Sequence, residues 1–193
     1  MTRSPELPLS LDLEPADATA LRTAWTREQP LGLEGSVAAT LLDPAVGLAM
    51  LAGDARTRRI GGIPDSMSRQ TWLRWYADGR ELPVLVRWRF ARHFHAEAVT
   101  EPSAWQLQLV SDDRLALRPL RRGRLTRQDD DEAWAGNFTI WFPWRQADGR
   151  NLLGRSPRRL RLIVSGSPGK AELQWRFAPV LSDERNVTWG LDP

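Results

Sequence analysis

Apolar and polar residues take turns along much of the second half of the chain. Val84, Val86, Trp88 and Phe90 share one side of an extended segment, with Leu85, Arg87, Arg89 and Ala91 on the other. Trp105, Leu107 and Leu109 alternate with Gln106 and Gln108, and Phe138, Ile140 and Phe142 alternate with Thr139 and Trp141. Leu160, Leu162 and Val164 add a further strand, and Ala171, Leu173, Trp175 and Phe177 alternate with Glu172, Gln174 and Arg176. A period of two is the signature of a strand with one face buried. Strands of this kind predict antiparallel sheets with one wet side. The turn-forming run Ser165-Gly166-Ser167-Pro168-Gly169 predicts a hairpin between the last two strands. Asp112-Asp113 links residues 105–110 to 114–120 in the same way. These segments predict a sandwich or open barrel, and the sandwich expectation puts Trp88, Trp105 and Trp175 in one shared core.

The N-terminal third reads differently. Leu7, Leu9, Leu11 and Leu13 alternate with polar residues, and Pro8, which lacks a backbone donor, places that strand at an edge. Pro15 opens a helical stretch to about Glu28, with Leu21 and Trp25 on one face. Asp43-Pro44 marks a second helix start, running from Ala45 to Arg59, and the apolar stretch Val37 to Ala55 reads as a buried helix. Residues 70–76 fit either a short helix capped by Ser68 or a strand pairing with Val84–Phe90. The expected fold class is α+β in a single domain over 1–193. Its parts are a helical segment 1–65 (an edge strand and two or three packed helices), a Trp-rich antiparallel β-sandwich spanning 66–180, and a C-terminal tail 181–193 pinned by Trp189.

Composition adds bounds. Ten tryptophans in 193 residues reinforce the sandwich reading, and 41% hydrophobic with 26% charged residues is ordinary for a globular chain. The sequence pI near 10.4 overstates the basic character. The chain has one lysine, Lys170, one tyrosine, Tyr76, and no cysteine, so almost nothing titrates to erase a formal charge of +3. Residues 1–63 hold six arginines against eight acids, whereas 64–193 hold 21 basic residues against 16 acids, so the excess sits in the C-terminal two-thirds. No window approaches the ~18 apolar residues of a membrane span. The first residues carry no apolar leader, which sets a cytoplasmic expectation; a leader removed upstream would make the protein an envelope or secreted one. Absence of cysteine excludes disulfides and thiolate metal sites.

Three groups of residues carry candidate chemistry. His93 and His95, two apart on one strand face and followed by Glu97, could supply metal ligands. The His-x-His pair resembles the start of the cupin metal motif. That motif has a glycine before the histidines and a later histidine, both missing here, and Arg87 and Arg89 on the same face oppose a cation, so a solvated strand is the plainer reading and no metal or cofactor is expected. Arg114, Arg118, Arg121, Arg122, Arg124 and Arg127 form a run with no intervening acid, followed by Asp129-Asp130-Asp131-Glu132. Phosphate binding with base stacking on Trp134, Trp141 or Trp144 is conceivable, but the adjoining acids disfavour nucleic acid. Trp141, which alternation sends away from the apolar side, with Trp144 and Arg145 close by, forms the candidate binding surface. The plainer reading is that a second layer, the N-terminal helices, covers Trp141. No Gly-x-Ser-x-Gly elbow and no Gly-rich phosphate loop occurs. The expected function is therefore a non-enzymatic binding module for another protein. A carbohydrate-binding sandwich stands second, and a metal-dependent enzyme using the His-x-His strand third.

Overall fold

The computed structural model describes residues 20, 22–32, 35–42, 81–91, 105–111, 116–129, 133–143, 158–182 and 186–191, with backbone alone at 128–129, 158 and from 177 onward. Two antiparallel sheets account for nearly all of them. The first contains β1 (Thr26–Pro30), β2 (Gly35–Leu41), β3 (Glu81–Ala91), β6 (Arg121–Arg122), β7 (Thr126–Asp129) and β8 (Ala133–Pro143). Its order is β1-β2-β3-β8-β6, with β7 also on β8. The second contains β4 (Gln106–Ser111), β5 (Ala116–Leu117), β9 (Arg158–Gly166), β10 (Gly169–Ser182) and β11 (Asn186–Leu191) in the order β11-β10-β9-β4-β5.

The predicted alternation holds in register. Val84 faces Ile140 and Val86 faces Phe138 across β3 and β8. Leu162 lies between Leu109 and Leu173 in the second sheet. The inward rows of both sheets form one hydrophobic cluster that contains Trp88, Trp105 and Trp175, at 4%, 3% and 0% exposure. The two expected hairpins are present: β9 and β10 turn through Ser167-Pro168, and β4 pairs with β5 at Leu109 and Val110.

Glycines let the large aromatics lie flat. Trp88 sits directly across from Gly136, where an added Cβ would come within 2.6 Å of the indole. The indole thus shields a glycine that would otherwise weaken the strand. Gly32, at φ 71°, turns the chain between β1 and β2 against the carbonyl of Pro168 at the tip of the β9–β10 hairpin. That contact joins the ends of the two sheets.

The N-terminal expectation is corrected. The described helical residues are 20 and 22–24, and the stretch read as helical to Glu28 becomes strand β1 at Thr26. The described start of the apolar stretch Val37 to Ala55, as far as Leu41, is strand β2 rather than helix; the rest of that stretch from residue 43 lies outside the described residues. β2 is buried on both faces: Val37, Ala39 and Leu41 face the core, and Ala38 and Thr40, on the opposite face, are 8% and 0% exposed. A strand buried on both sides loses its alternation and reads like a buried helix segment. Two or three packed helices are therefore not part of the described structure. Within the expected tail, Asn186–Leu191 pairs with Phe177–Ser182 as β11, in keeping with the strand-forming Val187, Thr188 and Trp189. The expected edge strand at Leu7–Leu13, the helix Ala45–Arg59 and residues 70–76 lie outside the described residues.

Candidate functional site

The outer side of the first sheet differs from the wet face its alternation predicts. Arg87 and Arg89 are exposed there, whereas Thr40, Pro83 and Trp141 are buried. Trp141 does point away from the inter-sheet core, since its neighbours Ile140 and Phe142 belong to that core and it does not. It is nonetheless only 7% exposed.

Described residues that close over it come from the chain between β5 and β7. This segment leaves the second sheet after Leu117 and runs along the edge of the first. Two main-chain bonds pin it to β8: Leu120 N–H donates to the Trp141 carbonyl and Gly123 N–H to the Thr139 carbonyl, both at 2.7 Å. Between them, β6 pairs Arg121 with Trp141 and Arg122 with Ile140. Gly123 sits so close that a Cβ there would be 3.3 Å from the Trp141 indole.

Arg121 then crosses β8. Its guanidinium carbon lies 3.7 Å from the Trp141 ring centroid, and Nη2 donates to Glu81 Oε2 at 2.7 Å, with Nε 3.2 Å from the same oxygen. Glu81 begins β3, the strand on the far side of β8. One arginine therefore spans three adjacent strands, held by a carboxylate at one end and stacked on an indole in the middle. The ring's negative face favours the cation, and the fork geometry of the guanidinium suits the carboxylate. Arg121 and Glu81 side chains are 42% and 27% exposed, so solvent screening holds the ion pair to about 1 kcal/mol or less.

Around this clasp the surface is basic with an apolar point. Arg118, Arg122, Arg124 and Arg127 are exposed, and Leu120, at 57%, is the exposed large hydrophobic among the described residues. Of the sequence-predicted site, Trp141 is in this region, but Trp144 and Arg145 lie outside the described residues, as do His93, His95 and Glu97. Among the described residues no group of three potential metal ligands is brought together. No described helix is long and apolar enough to cross a membrane.

Sequence reasoning missed Arg121 and Glu81 as the partners of Trp141. Arg121 was visible as part of the arginine run. Glu81 carried no signal, because only the strand order places it within reach. Comparison with protein-family models, curated proteins and solved structures gave no match.

Proposed function

We propose that the protein is a non-enzymatic interaction module that receives another protein along the β6 edge of the first sheet, beside the Glu81–Arg121–Trp141 clasp. The observation that carries this reading is Leu120. It is 57% exposed, it adjoins Arg121, and its own backbone is bonded to Trp141. An apolar side chain displayed on a pinned segment among arginines has the composition of a contact hot spot, in which arginine is enriched and apolar anchors are central. The clasp contributes rigidity: its backbone is already ordered, so less conformational freedom is lost on association.

A sugar-binding surface needs an open aromatic face. Trp141 offers none, because Arg121 occupies its ring face at 3.7 Å. The geometry therefore favours the protein partner over carbohydrate at this position.

The test is site-specific photo-crosslinking in the native cell. A photoreactive residue at position 120 is expected to capture a defined protein, whereas the same residue at Glu172, exposed on the outer face of the second sheet, captures none. Equal capture from both positions, or none from either, would overturn the reading.

A further inference from the structure

We infer, building on the protein-binding reading above, that the Trp141 ring face and the Glu81 carboxylate form a guanidinium receptor whose resting occupant is Arg121, and that the partner delivers an arginine that takes its place. The register builds the site. Arg121 lies directly across from Trp141, and Trp141 directly across from Pro83. Directly paired residues share a face, and so do residues two apart in one strand. Glu81 therefore joins them on the outer side of the first sheet. Arg122 pairs with Ile140 of the core row, so alternation turns that neighbouring cation away from the ring.

The contacts name the ligand class. Arg121 Nε lies 3.3 and 3.2 Å from Glu81 Oε1 and Oε2, and Nη2 donates to Oε2 at 2.7 Å. Two nitrogens of the fork thus meet both carboxylate oxygens, while the guanidinium carbon stands 3.7 Å from the ring centroid. A planar cation satisfies the carboxylate edge-on and the indole face-on at once. An ammonium has neither the plane to lay on the ring nor a fixed pair of donors for the carboxylate.

The seated side chain is open to exchange. Arg121 is 42% exposed and Glu81 27%, so water reaches the ion pair and weakens it. Arg121 can swing off the ring without unfolding β6, because its backbone stays on β8 through the strand pairing and the bonds from Leu120 and Gly123. Exchange therefore costs the order of one side chain rather than of a strand. Leu120, exposed and next in the chain, is placed to hold the incoming segment beside the site.

A tethered occupant lowers the apparent affinity for an incoming arginine by the fraction of time it is seated. The experiment uses this. Fluorescence anisotropy on the full chain employs a labelled Gly-Ser peptide carrying one leucine and one arginine, and counterparts with lysine or the neutral isostere citrulline. Arg121→Ala is expected to bind the arginine peptide more than about tenfold tighter than the parent, because the internal competitor is gone. In that background the lysine peptide should bind about fivefold weaker and the citrulline peptide more than about tenfold weaker. Adding Glu81→Gln should weaken the arginine peptide more than about tenfold, and adding Leu120→Ser about fivefold. None of the three substituted residues belongs to the core cluster, so thermal melts should confirm intact folding. A clasp with a structural role alone gives the opposite signature. Arg121→Ala binding no tighter than the parent, or citrulline binding as tightly as arginine, would overturn the inference. If position 120 captures a protein in the cell but the peptides behave in that way, the guanidinium inference falls alone. If the peptides behave as expected but position 120 captures nothing, the protein-binding reading falls and the receptor site stands. If neither is seen, both fall.

Discussion

Trp175 donates its indole N–H to the main-chain carbonyl of Trp25, 2.9 Å away and 150 residues earlier in the chain. The same carbonyl accepts the N–H of Leu41 at 3.3 Å. A single oxygen thus ties β2 of the first sheet to β10 of the second. Arg27 repeats the link next door, donating from Nε to the Gln174 carbonyl at 3.1 Å and from Nη1 to the carbonyls of Ala24 and Thr26. Its partial burial pushes the guanidinium pKa down from its ordinary value. Edge strand β1 therefore closes one side of the sandwich instead of offering a free edge.

Trp175 fills the core and satisfies that carbonyl, and the two roles are separable. Trp175→Phe should keep most of the packing and cost about 1–3 kcal/mol for the lost partner. Trp175→Ala should cost about 3–5 kcal/mol. Equilibrium urea denaturation of both variants checks the order; a Trp175→Phe variant as stable as the parent would show that the hydrogen bond contributes nothing.

Trp141 is buried, so its removal should destabilise. Trp141→Ala is expected to cost about 3 kcal/mol. Arg121→Ala should cost about 1 kcal/mol, and the double variant should lose less than the sum by about 0.5–1 kcal/mol, the coupling of cation and ring. Thermal and chemical denaturation of the four proteins measures that coupling.

Gly136 lies beneath Trp88, and the space for a side chain is taken. Gly136→Val should push the indole aside and cost about 1–3 kcal/mol despite the better strand propensity of valine. A gain in stability would show that the Trp88–Gly136 contact is not tight.

Gly32 combines a left-handed backbone with close approach to Pro168. Gly32→Ala should cost about 1–3 kcal/mol. Amide exchange should quicken at the β9–β10 turn as well as at residue 32, because the two turns support each other.

Arg161 and Glu172 make a 2.9 Å ion pair on the outer face of the second sheet, about 40% exposed on each side. A double-mutant cycle with alanine should return about 0.5 kcal/mol or less, falling further in salt. A coupling several times larger would mark this pair as part of a wider network.

Where one face of a strand meets the core and the other meets water, side-chain chemistry alone determined the structure. The inward rows of β3, β4, β8, β9 and β10 follow from the period of two, and turn residues set both hairpins. Register, and with it the outward direction of Trp141, came from the same rule. Tertiary structure decided the rest. β2 has both faces buried, so its composition did not distinguish strand from helix until β1 and β3 flanked it. β5, β6 and β7 are pieces of two to four residues whose pairing gains come from β4 and β8, and no local preference announces them. The cover over Trp141 is the clearest case. Alternation directs the indole outward, but whether it meets solvent depends on an arginine 20 residues before it and a glutamate 60 residues before it. Only the order β3-β8-β6 brings those two residues, from strands on either side of β8, into contact with each other at the ring.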